Sequence, residues 1–415
     1  MNHLSRNIIR TYIFLVFGNT LAASFIWGIN TIFLLDAGLS NFEAFAANAF
    51  FTLGMVLFEV PTGVVADTWG RRVSYLLGTI TLAVTTGLYF LLWQMHAPFW
   101  EWAVVSMLLG LGFTFFSGAV EAWLVDALEF AKHKGSLESV FGRGQMAGGI
   151  AMLLGSLGGG VIAQVTNVGV PFIVRAVVLV ILFAGAFFFM RDLGFSPDRS
   201  ASPGKAMSEI WRQSLQHGLK NPPVRWMMIA SIFAASVGFY VFYALQPYLL
   251  QLYGDASAYW VAGLAAAIVA LAQIIGGSLA GKIRGLFAKR TSAMIAATIV
   301  TCVVLVGMYV TTNFYVALTL VAVWGLMFAA VMPIRQAYMN ALIPSKQRAT
   351  VLSFDSLMGN TGGIVIQPAL GRVTDLSSYA TSFLVGGVIQ LVSLPFIFAS
   401  RRQKHPADRA ETQSS

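Results

Sequence analysis

The sequence predicts an all-α membrane protein of about twelve transmembrane helices arranged as two pseudo-symmetric six-helix bundles. Three observations lead there. The 415 residues are 57% hydrophobic and only 10% charged, whereas a soluble domain carries about 25% charged residues. The apolar residues fall into runs of roughly 18–28, each able to cross a bilayer as a helix and each bounded by Gly, Pro, Asn or charge. A single long polar stretch, residues 191–225, divides those runs into two equal sets. A β-barrel would show short alternating segments instead.

In chain order the expected spans are 11–35, 44–65, 73–93, 102–128, 144–163, 171–190, 226–248, 259–280, 292–310, 314–342, 350–370 and 381–398. Residues 1–190 then form the first bundle, 191–225 a linker, 226–400 the second bundle and 401–415 a tail. The N-terminus runs into its span without a small-residue cleavage site, which reads as a retained helix. In the linker, Met207, Ile210, Trp211, Leu215 and Leu219 recur at helical spacing until Pro222 and Pro223 end the run. That pattern suits an amphipathic helix lying on the membrane surface. Lys and Arg concentrate in alternate loops, at Arg6, Arg10, Arg71, Arg72, Arg143, Lys282 and Arg290, and again in the linker and tail. By the positive-inside rule both termini are cytoplasmic. The net charge of +9 therefore follows topology and does not point to nucleic acid. The one cysteine, Cys302, lies in an apolar run as a small packing residue, and the five histidines fall near loops or tails. No disulfide, metal centre or intramembrane histidine relay is expected.

The halves carry a repeat. Gly63-Val-Val-Ala66-Asp67 returns as Gly277-Ser-Leu-Ala280-Gly281, and at the same offset Glu121 and Asp126-Ala-Leu return as Arg335 and Asn340-Ala-Leu. The stretch 63–72, GVVADTWGRR, lies between the second and third spans and reads as a tight hairpin loop. Gly63 and Gly70 would allow close helix approach and a sharp turn there.

With Asp67, Gly70, Arg71 and Arg72 at these places, the chain resembles the major facilitator superfamily, whose loop between spans two and three runs Gly-x-x-x-Asp-x-x-Gly-Arg-Arg/Lys. Duplicated halves joined by a linker extend the likeness over essentially the whole chain. Span five carries GSLGGG, similar to the Gly-Pro-x-x-Gly-Gly element of the drug:proton antiporter branch, with Ser156 in place of proline. The resemblance implies a plasma-membrane transporter, in a bacterium that of the inner membrane, acting as a monomer without enzymatic activity. It also implies two bundles rocking about a midplane site lined by spans one, four, seven and ten. By the same resemblance Asp126 pairs with Arg71, Asp67 sits near Thr350 at the start of span eleven, and Arg143 joins that inner gate.

Charges inside the membrane need a reason, because each costs roughly 2.5–3.5 kcal/mol at a helix centre. Thr114, Ser117 and Glu121 fall at helical spacing on one face of span four. Glu121 and its counterpart Arg335 suggest a pair made in one state and parted in another, with Glu121 as proton carrier or substrate anchor. A static ion pair is the alternative. Glu59, just before Pro61, is either a second proton site or a partner for backbone freed by the proline. Asp355 reads as a packing or gating partner, and Arg175 as a snorkelling residue. Two stripes at helical spacing suit an apolar, aromatic cavity: Thr20, Ser24, Trp27 and Thr31 on span one, and Ser236, Tyr240, Tyr243 and nearby Gln246 on span seven. Ordinary packing would also explain them. The expected activity is proton-coupled efflux of small amphipathic or lipophilic compounds, with the proton as coupling ion and no other cofactor. Symport or uniport of a sugar or metabolite, and translocation of a lipid or lysolipid, remain as alternatives on the same fold.

Overall fold

The computed structural model describes residues 3–197, 204, 208, 212, 214–344 and 347–409. Met207, Ile210 and Trp211 of the expected surface helix lie outside the described residues. Its remaining positions, Leu215 and Leu219, fall in a short π-helical turn, Ser214–Leu219.

The helices in order are α1 (His3–Trp27), α2 (Asn30–Asp36), α3 (Asn41–Trp69), α4 (Arg71–Met95), α5 (Phe99–Thr114), α6 (Ala119–Phe130), α7 (Leu137–Val165) and α8 (Val170–Phe189). After the linker come α9 (Pro222–Tyr253), α10 (Tyr259–Gly285), α11 (Arg290–Val310), α12 (Phe314–Leu342), α13 (Arg348–Leu376), α14 (Tyr379–Leu391) and α15 (Ser393–Arg402). Among the described residues, 11 helical stretches are long and apolar enough to cross a membrane. The remaining expected span is α13, which is 29 residues long. It is less apolar because it carries Asp355, Asn360, Gln367, Arg372 and Asp375.

Three expected spans are broken. Span one divides at Gly28 and Ile29, span four at residues 115–118, and span twelve at Val392. Each break sits inside an apolar run, so hydropathy alone does not show it. At the second, Gly118 adopts φ +67° and α6 starts afresh. The stretch 63–72 differs from expectation in the opposite sense. α3 continues through Asp67 to Trp69 and α4 begins at Arg71, so Gly70 alone makes the turn. Its φ of +108° is open to glycine and strained for other residues.

The chain forms two compact units. One comprises Met1–Leu39, Phe50–Ala206 and Ser257–Ala267; the other comprises Ser40–Ala49, Met207–Ala256 and Ile268–Ser415. Their internal packing repeats. In the first unit α1 packs on α7 and α8, and α4 on α5 and α8. In the second, α9 packs on α13 and α15, and α11 on α12 and α14. These are the same pairings shifted by six spans.

Small residues make the tightest seams. A Cβ on Gly159 of α7 would run into the Phe25 carbonyl of α1, and one on Gly155 would lie 2.6 Å from the Ser24 Cβ. A Cβ on Gly362 of α13 would strike Ile232 and Ser236 of α9 in the same way. Without a hydrophobic drive between helices in lipid, such close backbone approach supplies the packing energy. Aromatic side chains fill the first unit, where Phe33 stacks on Phe172 at 3.8 Å and lies edge-on to Trp102. The second unit has an apolar core that includes Val224, Met228, Met294, Ile334, Tyr338 and Val351. Cys302 is buried, its thiol directed at the Gly387 carbonyl at 3.6 Å, as a packing residue.

Within the second unit, Asp375 near the end of α13 caps the start of α3. Its carboxylate accepts the Asn41 N–H at 3.0 Å and the Phe42 N–H at 2.8 Å. The Tyr379 hydroxyl donates to the Asn41 side chain beside it.

Candidate transport site and its loop cluster

At the α3–α4 turn, Asp67 and Arg71 are one helical turn apart across Gly70 and form an ion pair at 2.6 Å. The expected partner of Arg71 was Asp126. The structure gives Arg71 to Asp67, whose side chain is in direct reach across a one-residue turn. Asp126, on α6, is half-buried and has no ion-pair partner among the described residues of its unit. Arg143 is exposed on α7 and likewise makes no ion pair there. A methyl on Gly63 would meet nothing within 4 Å among the described residues, so they show no close helix approach at that glycine.

The residue that organises this turn was missed. Asp192 follows α8 and accepts the backbone N–H of Arg72 at 2.9 Å, capping α4. A Cβ on Gly70 would collide with the Asp192 carboxylate, a second reason for glycine there. Arg72 reaches on to the Phe187 carbonyl at 2.6 Å and lies over the Phe187 ring, while Arg71 lies over Phe195. Burial pushes the Asp192 carboxyl above the ordinary carboxylate range, against the opposing pull of the Arg72 N–H and the Arg72 and Arg71 charges. The second unit repeats the device. Asp408, beyond α15, accepts the Thr291 N–H and the Thr291 hydroxyl, each at 2.8 Å, and so caps α11. An acid just past the last span of each half was the available signal.

Arg335 is paired within its own unit. Its guanidinium makes a two-pronged bond to Asp355, Nη1 to Oδ2 at 2.7 Å and Nη2 to Oδ1 at 2.6 Å. It also donates to the Met227 carbonyl at 3.3 Å. The Asp355 side chain is 7% exposed, so this is a nearly dry pair between α12 and α13. Glu121 lies in the first turn of α6, exposed, with no cation at salt-bridge distance among the described residues of its unit. Thr114, Ser117 and Glu121 do not share one continuous helix face, because the break at residues 115–118 intervenes. Thr114 turns inward and donates to the Leu111 carbonyl at 2.8 Å. Ser117 instead donates to the half-buried Glu59 carboxylate at 2.6 Å. Glu59 thus serves the broken span, not the backbone freed by Pro61. Arg175 is buried, 3% exposed, and does not snorkel.

Several residues of the expected cavity stripes are packing residues. Ser24 donates to the Thr20 carbonyl at 2.7 Å and sits against Gly155, so this face meets α7. Ser236 donates to the Ile232 carbonyl and packs on Gly362. Tyr240 is fully buried, its hydroxyl bonded to Thr374 at 2.7 Å and Ser382 at 2.5 Å. Thr31 and Gln246 are buried, while Trp27 and Tyr243 are half-buried.

The second unit holds a cavity of about 290 Å³ between α9, α11, α12 and the last span. Met227, Met294, Met327 and Met332 line it, with Trp324 and Phe328 beside them and Arg335 at its wall. Methionines are unbranched and adapt to varied shapes. Because Asp355 neutralises Arg335, the compartment offers an apolar surface with little net charge. No methionine or aromatic spacing in the sequence marks it, since its walls come from helices far apart in the chain.

The profile of the Major Facilitator Superfamily matches residues 12–287 and 260–414. The multidrug resistance protein MdtG of Salmonella typhimurium is 25% identical over 356 residues, covering 83% of this chain and 82% of that protein. Among solved structures, the nucleoside transporter NupG superposes with a TM-score of 0.78 at 13% identity, over 97% of this chain and all of the other. A bacterial homologue of the human lysosomal transporter Spinster superposes at 0.74 with 15% identity, over 99% of this chain. The repeated helix pairings, the turn at Gly70 and the family match converge: this chain belongs to the Major Facilitator Superfamily, and it is a multi-pass membrane transporter rather than an enzyme.

Proposed function

We propose that the protein exports small amphipathic or lipophilic organic compounds in exchange for protons. The observation that carries this reading is the methionine-rich cavity, whose single cation is already paired with Asp355. A neutral or weakly charged apolar compound would enter it without stranding a charge. Among the described residues, the cavity's polar lining is confined to Ser231, Thr298, Thr301 and Gln390 beside the paired Arg335, and the Ser231 hydroxyl is already bonded to the Met228 carbonyl, which favours an apolar compound over a sugar. The similarity to a multidrug resistance protein supports the same direction. Glu121 and Glu59 are the carboxylates assigned to the proton. Glu121 is exposed and unpaired in its unit, and Glu59 is half-buried with Ser117 as its donor. Substrate and protons would be exchanged by alternating access about a midplane site, with both termini cytoplasmic.

The test is transport in reconstituted vesicles. A lipophilic dye should accumulate or leave according to an imposed pH gradient, and Glu121→Gln should abolish that response while leaving counterflow intact. Dye movement that ignores the gradient in the unaltered protein would refute proton exchange. Gradient-driven uptake of a sugar in its place would refute the substrate class.

A further inference from the structure

We propose that the protein binds one anionic phospholipid in a groove between the N-terminal turns of α1 and the end of α8. The groove has a volume of about 550 Å³, within the range of ligand sites. Its apolar wall includes Leu4, Ile8, Phe14 and Phe188, and its polar end holds Arg10 and Arg191. Among the described residues, none that line it is acidic.

The shape is set by packing. Phe14 lies over Gly185 of α8, which has no side chain to hold the helices apart. Phe188 and Phe189 are two-thirds exposed at the end of a transmembrane helix, so the apolar side faces lipid chains. Arg10 and Arg191 are both exposed, and neither makes an ion pair among the described residues. They lie at the end of the first unit that also carries Arg6, Arg71 and Arg72, the cytoplasmic end by the positive-inside rule. Cytoplasmic leaflets carry anionic headgroups, and basic pockets between helices on that side suit them. A lipid phosphate at the two guanidiniums, with a chain along Phe14 and Phe188, satisfies both ends of the groove.

The site touches the loop cluster. The Trp123 indole lines the groove and donates to the Arg191 carbonyl at 2.7 Å. The next residue, Asp192, caps α4. A lipid phosphate on Arg191 would therefore steady the segment that holds the Gly70 turn.

The experiment uses the full chain in neutral detergent, titrated with phosphatidylglycerol or phosphatidylcholine whose chains are brominated, with tryptophan quenching as readout. The Trp123→Phe variant identifies the Trp123 component. Quenching at Trp123 should need about tenfold less phosphatidylglycerol than phosphatidylcholine, and Arg10→Gln/Arg191→Gln should remove that preference. Arg10→Lys/Arg191→Lys, which keeps the charge, should retain it. Equal quenching by the two lipids in the unaltered protein would overturn the proposal without any variant. So would a preference that survives in the doubly neutral variant, or inorganic phosphate at equal concentration displacing the lipid. Lipid binding is read without transport, so its failure leaves the efflux reading standing, and the reverse.

Discussion

Asp192 and Arg72 stand 120 residues apart in the chain and meet at 2.9 Å, carboxylate to backbone N–H, at the start of α4. The contact caps the start of α4, closes the Gly70 corner and ties the end of α8 to the loop cluster. Losing an N-cap of this kind costs about 1 kcal/mol. Asp192→Ala should lower thermal stability in detergent accordingly, whereas Asp192→Asn keeps an acceptor and should lose less.

The same carboxyl predicts a pH dependence. Burial holds its folded value above the ordinary range. Such a group contributes stability that is fully present below the unfolded value and is lost as pH rises through the folded one. Unfolding measured against pH should show stability increasing as pH falls through the interval just above the ordinary carboxylate range. Asp192→Asn should lack that component; an unchanged profile would contradict the assignment.

Asp408 and Thr291 should behave as a coupled pair. Each of Asp408→Ala and Thr291→Ala removes part of the α11 cap, and the double variant should cost less than the sum. A double-mutant cycle on unfolding free energy should return a coupling of about 1 kcal/mol. A cycle that closes at zero would make the contact incidental.

Arg335 and Asp355 are a low-exposure pair, so removing one partner leaves a stranded charge. Arg335→Met or Asp355→Leu alone should cost about 3 kcal/mol, and combining them should restore most of it. Differential scanning in detergent reads both. If each single variant is neutral, Arg335 is hydrated in the protein and does not rest on Asp355.

Glycines with similar sequence settings should respond differently. Gly159→Ala forces a methyl into the Phe25 carbonyl and should cost about 1–3 kcal/mol. Gly63→Ala meets open space and should leave stability unchanged or slightly raised. Expression level and melting temperature of the two variants check this.

The spans and the duplication were legible because hydrophobicity changes sharply at span ends and because two motifs recur in one register. The helix breaks were not, since Phe115, Phe116 and Gly118 lie in an apolar run with no change of polarity at the break. Ser24 and Ser236 misled for a physical reason. Helical spacing identifies a face but not its neighbour, and in each case the hydroxyl returns to a carbonyl of its own helix while glycine approaches from the next. The capping acids Asp192 and Asp408 belong to contacts that join distant parts of the chain, so no local window displays them. Arg335 was singled out as a charge needing a reason and Asp355 as a packing or gating partner, and the two bond to each other between α12 and α13.

The buried thiol of Cys302 has a practical consequence. It is the chain's single cysteine and is 7% exposed. A thiol placed by mutagenesis at Asn41 or Gly63 would stand out against a silent background, so spin labels or fluorophores could follow each end of α3 through turnover in an otherwise natural sequence.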